Sequence, residues 1–324
     1  MASTNVVAFR KPGREPAADD LVAFALRWFD LESVLWRPST IAARQSLLRA
    51  HVIPLLSGHA LDGLSRAEVV AFRARLARTS TVAGRPRSAT YTNAALRLLR
   101  WILVERERQH GIPNPCVDLR RLPEPRTDVR PFSLPELLRL RDVAPDDLRE
   151  YIWIRTLTAL RSGEANGLRW ADVDLDAGTF EVRESRVNGR QQPTKNHFSR
   201  RVIAMIPSVR EAFERQLAMS QGVGYVFRTP RGCSIDSRTF AKRQWPHLLR
   251  AAGLDHRPPE ALRHTGATLM LAAGEAPTHV ARLLGHADLT QLMRTYARFM
   301  PGALGTPDGA RQQAALGPKA AMSD

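Results

Sequence analysis

The sequence predicts a mainly α-helical protein with a small antiparallel β-sheet, split into a helical first domain and an α+β second domain. Three observations carry this. Apolar side chains recur at helical spacing from 17 to 110. Residues 111–131 then hold Pro113, Pro115, Pro123, Pro125 and Pro131, with Arg120, Arg121, Arg126 and Arg130 between them. Proline at that density breaks regular structure and stiffens the chain, which marks a linker. Further on, strand-like stretches over Thr179–Val187 and Arg201–Ile206 accompany Asn188-Gly189, a two-residue hairpin signal, and lie among more helices.

Each element has its own grounds. Residues 1–16 are polar and poor in large apolar side chains, so a flexible arm is expected there. The first helix spans 18–34, with Leu21, Phe24, Ala25 and Trp28 facing inward. The second starts after Pro38-Ser39, buries Ile41, Leu47, Leu48 and Val52, and is expected to end at Pro54. Ser65 followed by Glu68 is a capping-box pattern that opens a third helix, with Val69, Phe72 and Leu76 inside. The fourth, over 88–108, buries Ala95, Leu98, Leu99, Ile102 and Leu103 and puts Arg97, Arg100, Arg106 and Arg108 on polar faces.

In the second domain, 132–300, a helix starts at Phe132–Glu136 and 148–160 is strongly apolar. After the strands come helices at 208–219, 237–252, 261–272, 277–284 and 290–299, with Gly274 and Gly285 placed as C-terminal stops. The Ala-, Gly- and Pro-rich stretch 301–324 is expected to be a flexible tail.

The formal net charge is +16 over 324 residues. Basic residues exceed acidic ones in both halves, 19 against 10 in 1–122 and 29 against 22 beyond. A polyanion is the expected partner, nucleic acid first, and a clamp gripping from two sides suits this distribution. Only Lys11, Lys195, Lys242 and Lys319 are lysine, so nearly all the charge sits on guanidiniums that cannot readily release a proton. Cys116 and Cys233 have neither metal-ligand spacing nor a disulfide framework, which points to a reducing compartment. No apolar run is long enough for a membrane span and no secretory h-region opens the chain, so no membrane partner is expected.

Against this background, five residues stand out in order: Arg161 in Leu-Arg-Ser-Gly-Glu, Lys195 in a hairpin, Arg263 in Leu-Arg-His-Thr, His286 in Leu-Gly-His and Tyr296 in Arg-Thr-Tyr. Cations and hydrogen-bond donors beside a phenol suit chemistry on a phosphodiester. Arginines hold the phosphoryl oxygens, a phenol can attack phosphorus, and a lysine can protonate the departing oxygen. Neither metal nor nucleotide cofactor is required. Taken singly, Tyr296 would read as a core aromatic, His286 as a helix-end histidine, and Arg161 and Arg263 as partners for Glu164 or Asp172.

These motifs make the chain resemble the tyrosine recombinases of the phage integrase type, over about 17–300. The resemblance implies a helical core-type DNA-binding domain followed by an α+β catalytic domain. It implies a site-specific recombinase that cleaves and rejoins double-stranded DNA through a 3′-phosphotyrosine, without metal or ATP. Tyr296 would be the nucleophile, Arg161 and Arg263 the phosphate clamp, His286 a hydrogen-bond donor and Lys195 the general acid. Glu164 and His264 would support them. Arg97, Arg100, Arg120 and Arg121 are the candidate DNA-backbone contacts. The implied assembly is a tetramer on two synapsed sites, formed from free monomers, with a DNA-bending accessory factor as a possible partner. A cytoplasmic, nucleoid-associated protein of bacterial or phage origin is expected, and a compact integrase is favoured over a chromosome-dimer resolvase.

One position departs from the family pattern. The residue three before the second arginine is usually His, and here it is Glu260. A carboxylate there could accept the phenolic proton, or it could slow the reaction by adding negative charge beside the phosphate. It could also simply favour the first turn of a helix. Glu260 therefore supports an alternative, a catalytically weakened DNA-binding regulator of the same fold. A relaxing topoisomerase shares the chemistry, whereas a simple helix-turn-helix repressor would explain the charge but not the spaced motifs.

Overall fold

The computed structural model describes residues 20–80, 84, 86–125, 128–187, 189–193, 200–229, 231–286 and 288–300. It divides into two units, Met1–Thr127 and Asp128–Asp324. The proposed arm (1–16) and tail (301–324) lie outside the described residues.

The first unit is helical. Helix α1 (Leu21–Ser33) starts where the Asp20 carboxylate accepts the Val22 N–H at 2.7 Å. Helix α2 (Pro38–Leu47) runs through a π turn, Leu48–Val52, directly into α3 (Ile53–Leu56). Pro54 therefore does not end this helix, contrary to the sequence expectation. The Ile53 N–H reaches back five residues to Leu48 O, so the ladder is already out of α register where the proline lacks its donor. Helix α4 (Arg66–Arg78) opens with the Ser65–Glu68 capping box, and α5 (Ala89–His110) ends at Gly111 in the left-handed region, φ +68°. Leu21, Phe24, Val52, Phe72, Leu99 and Ile102 lie in their shared core.

One further expectation for this unit is corrected, and the expected linker, within which the division between the units falls, has a structure of its own. Arg106 is not on a polar face: it is fully buried and donates to Leu61 O at 3.0 Å and Pro113 O at 2.7 Å. The segment read as a linker is, through Glu124, strapped onto the first unit. Arg66 donates to Val117 O, and Arg73 donates to Arg120 O at 2.7 Å. Asn93 exchanges two hydrogen bonds with Leu122, each 2.9 Å, and also donates to Glu124. Cys116 is buried in the core. Proline removes ladder donors, but the free carbonyls of such a stretch are good acceptors for arginine.

The second unit begins with α6 (Leu134–Asp142), opened by a Ser133–Glu136 capping box, and α7 (Asp146–Leu157). A short α8 (Ser162–Gly167) follows. Strands β1 (Val173–Asp174), β2 (Thr179–Val182) and β5 (Arg201–Ala204) form one antiparallel sheet in the order β1-β2-β5. Strands β3 (Glu184–Val187) and β4 (Arg190–Pro193) form a separate hairpin. The single strand expected over 179–187 thus breaks at Arg183 into two. Val187 pairs with Arg190, and Gly189 supplies the positive φ (+74°) that the two-residue turn demands.

Helix α9 (Pro207–Ser220) precedes α10 (Ser237–Thr239), which passes through a second π turn, Phe240–Gln244, into α11 (Trp245–Ala251). Pro246 follows this turn as Pro54 follows the first. Helices α12 (Ala261–Ala272), α13 (Pro277–Leu284) and α14 (Leu289–Tyr296) complete the unit. Tyr151, Phe180, Phe213, Phe227 and Trp245 form the main core, and a smaller cluster joins Ala267, Leu271, Val280, Leu284, Leu292 and Tyr296.

Two backbone-to-backbone approaches hold the site elements in place. A Cβ at Gly266 of α12 would lie 1.9 Å from Thr156 O of α7. Cβ atoms at Gly163 and Gly167 of α8 would both press on β3, where the nearest main-chain atoms are 3.2 Å away. Only glycine allows these helices to sit so close.

Candidate active site

The site is assembled at element ends. After α7 the chain turns at Ala159, φ +50°, so that Arg161 becomes the N-cap of α8. Its Nη1 donates to Glu164 Oε1 at 2.7 Å, and its backbone N–H donates to Glu164 Oε2 at 3.0 Å. Glu164 is 3% exposed and also pairs with Arg201 of β5, Nη2 to Oε2 at 2.9 Å, and with Arg263, whose Nη1 lies 4.0 Å away. Burial alone would raise its carboxyl, but Arg201, then Arg161 and Arg263, outweigh that and hold it at about 2. One carboxylate thus serves three guanidiniums, and Arg161 and Arg263 alone already outnumber it.

Arg263, on the first turn of α12, donates to Ala159 O and Leu284 O, both at 2.7 Å. Burial, then the neighbouring Arg161, lowers its guanidinium to about 9, so it is cationic at neutral pH. Leu284 ends α13, where Gly285 turns the chain at φ +64° and leads to His286. Burial, then Arg263 and Arg161, depresses His286 to about 4. Its Nδ1 is buried without a hydrogen-bond partner among the described residues. The neutral imidazole therefore has unspent hydrogen-bonding capacity beside the arginines.

Tyr296 ends α14. Its ring is 2% exposed, in the smaller core cluster, and its hydroxyl lies 2.6 Å from His264 Nδ1. Burial raises the phenol, and Arg263 and Arg161 act against that rise, so the hydroxyl lies within their field. Glu260 precedes α12, where its exposed carboxylate accepts from Ser162 Oγ at 3.1 Å. Ser162 in turn accepts from the fully buried Arg155, Nη2 to Oγ at 2.6 Å.

The structure therefore gathers Arg161, Glu164, Glu260, Arg263, His264, His286 and Tyr296 in the second unit. Lys195 lies outside the described residues. Sequence reasoning gave no role to Arg201, Ser162 or Arg155. Arg201 was legible in principle, because it alternates with Ile203 along β5 and both face inward. Ser162 and Arg155 gave no such signal. In the first unit, Arg97 and Arg100 are exposed on α5, and Arg97 lines a groove with Ser39, Thr40, Arg44 and Trp101. Arg44 lies over the rings of Trp36 and Trp101, 4.0 and 4.5 Å from their centroids. Arg120 is exposed, and Arg121 pairs with Glu124 at 2.9 Å.

Fold and site together define a two-unit, mainly helical protein whose second unit carries an arginine cluster and a tyrosine. Residues 129–301 match the model of the phage integrase family, and the chain belongs to that family. It is 31% identical to the tyrosine recombinase XerC of Rhodospirillum centenum over 249 residues, 72% of this chain and 69% of that one. It spans about half the length of other curated relatives. Its fold is similar to that of the Tn1549 transposon integrase in complex with a circular intermediate DNA, with TM-score 0.75 and 19% identity over 92% of this chain and 99% of that one. It is likewise similar to a lambda integrase tetramer bound to a Holliday junction, with TM-score 0.66 and 18% identity over 84% and 78% of the two chains. No described helix is long and apolar enough to cross a membrane.

Proposed function

We propose that the protein is a site-specific DNA recombinase of the integrase type, which cleaves and rejoins strands through a covalent 3′-phosphotyrosine at Tyr296. The observation that carries this is the surplus of charge around Glu164. Arg161 and Arg263 both pair with this one buried carboxylate, which Arg201 also contacts, so the two arginines retain net positive charge for a phosphodiester. The guanidiniums are fixed by hydrogen bonds before substrate arrives, and stabilisation of this kind is strongest when it needs no rearrangement.

In this reading Arg161 and Arg263 hold the non-bridging oxygens, and His286 gives one of them a further hydrogen bond. The Tyr296 oxygen attacks phosphorus in line with the departing 5′-oxygen, which takes its proton from Lys195. The released 5′-hydroxyl of a partner strand then reverses the step, so that bond energy is kept in the phosphotyrosine. Double-stranded DNA is the substrate, Arg97, Arg100 and Arg120 contribute to backbone binding, and the working assembly is a tetramer. Support for the assembly comes from the lambda integrase relative, which is a tetramer on a Holliday junction. The weakened-regulator reading rested on Glu260 alone. That carboxylate is engaged by Ser162, and the Arg155 cation stands behind the serine.

The test is covalent capture. On a nicked duplex carrying the recombination site, the wild-type protein forms an adduct that survives denaturing electrophoresis. Tyr296→Phe keeps DNA binding and forms none. An adduct that persists in Tyr296→Phe would assign the nucleophile elsewhere.

A further inference from the structure

We infer that His264 is the group that takes the proton from the Tyr296 hydroxyl as it attacks, which makes it a reacting residue rather than a supporting one. The inference rests on the strand-cleavage reading above and deepens it. Its Nδ1 lies 2.6 Å from the phenolic oxygen, within the range of direct proton transfer. The two rings pack at 5.7 Å between centroids, so the contact is built into α12 and α14 and does not depend on a flexible arm. His264 follows Arg263 directly, and the same helix turn therefore carries the phosphate-clamping cation and the proton acceptor.

The charge state suits the role. Burial, then Arg263, lowers the imidazole below its ordinary value, so it is neutral at physiological pH and can accept a proton. With Nε2 protonated, the Nδ1 lone pair faces the phenol and the hydroxyl donates to it. The groups acting on this pair are Arg263 and Glu260 on or beside its own helix, Tyr296 from α14, and Arg161 from the start of α8. Glu260 is the one group among them that favours the imidazolium. Its carboxylate makes no hydrogen bond to Tyr296 among the described residues and is engaged by Ser162 instead. The glutamate at this position then has a defined task, to steady the protonated histidine.

The step balances. The Tyr296 O–H bond breaks as the O–P bond forms, and the proton moves to His264 Nδ1, giving an imidazolium. The P–O5′ bond breaks, and the leaving oxygen takes a proton from a separate acid, the role given to Lys195. On rejoining, the 5′-hydroxyl attacks, the phenolate departs, and the imidazolium returns its proton to it. Arg263 beside the imidazolium makes that return favourable.

The experiment uses the full chain on nicked duplexes. His264→Gln keeps a hydrogen-bonding side chain but cannot take a full proton, so adduct formation is expected to slow by about 100-fold or more, with DNA affinity retained. The defect persists on a strand with a bridging 5′-phosphorothiolate, whose sulfur leaves without protonation, so the loss does not lie in the acid step. His264→Ala regains adduct formation with added imidazole, and the regain rises as pH converts imidazole to its neutral form. Wild-type rates in His264→Gln, or no response to imidazole in a folded, DNA-binding His264→Ala, would overturn the inference. A larger loss in Glu260→Gln than in His264→Gln would also overturn it and give the proton to the carboxylate. An adduct from wild-type with undiminished His264→Gln refutes this inference alone, whereas no adduct from wild-type on a tightly bound site refutes the cleavage reading as well.

Discussion

Glu164→Gln separates the electrostatic account of the site from a purely steric one. The carboxylate is 3% exposed, and its three guanidiniums hold it at about 2 against an ordinary 4.5. At about 1.4 kcal/mol for each pH unit of displacement, the ionised form contributes about 3 kcal/mol to the second unit at neutral pH. A depressed carboxyl gives its stability in full above the unfolded value and loses it as pH falls toward the folded one. Glutamine keeps the shape and one acceptor oxygen but cancels the charge. The gap between wild-type and variant is therefore expected to be about 3 kcal/mol at pH 7 and only about 1 kcal/mol at pH 3. Hydrogen exchange of peptides covering 161–170 and 200–206 measures this, because it reads the local stability of α8 and β5 without averaging over two units. A gap of equal size at both pH values would show that Glu164 acts through packing alone.

Gly266→Ala forces a methyl to within 1.9 Å of Thr156 O, a main-chain atom that cannot swing aside. Separating α12 from α7 is expected to cost at least about 1–3 kcal/mol and to lower the melting temperature, and an unchanged melt would refute the close approach. Arg106→Met fills much the same volume but strands the carbonyls of Leu61 and Pro113, at about 1–3 kcal/mol each. Limited proteolysis should then cut within 111–124 faster than in wild-type, and equal cutting would show that the strap does not depend on this arginine. DNA binding should weaken steeply between about 50 and 200 mM salt, as several phosphate contacts require, and a flat response would deny the cationic clamp.

What the sequence made legible follows from how local each signal is. Caps, turns and amphipathic faces are written within a few residues, so Ser65 and Ser133 start helices, Gly274 and Gly285 end them, and Gly189 turns a hairpin. Pro54 misled because a π turn upstream absorbs the missing donor, and no residue type announces a π turn, whereas the helix expected over 237–252 does run through Pro246. Arg106 looked like a surface cation because its acceptors lie outside its own helix, Leu61 in a distant segment and Pro113 just past the helix end. The motif residues named Arg161, Arg263, His286 and Tyr296, but not what binds them together. That Glu164 gathers three arginines needs the Arg201 side chain of β5 to reach α8, and nothing local encodes that contact. Tyr296 was expected among fixed cations, and Arg263 and Arg161 do act on its hydroxyl, but its ring is buried and the hydroxyl sits on His264, a contact no motif announced.

Arg263 shows why the cluster tolerates so much like charge. Its two terminal nitrogens donate to Ala159 O, just past the end of α7, and to Leu284 O, the last residue of α13. Both carbonyls sit at helix C-termini, where the backbone dipoles present partial negative charge and each acceptor lacks an intrahelical partner. The arginine thus fastens two helix ends and offsets its own burial before any phosphate arrives. Lysine keeps the charge, but its single nitrogen cannot span two acceptors fixed by separate helices. Arg263→Lys is therefore expected to lose at least about 1–3 kcal/mol of stability from the stranded carbonyl. It should also mobilise the turn leading to His286, seen as faster hydrogen exchange over 284–288, and cut adduct formation well beyond any change in DNA affinity. If the lysine variant exchanges as slowly as wild-type over 284–288 and loses only activity, the fastening role is wrong, and the guanidinium is needed only for its contact with phosphate.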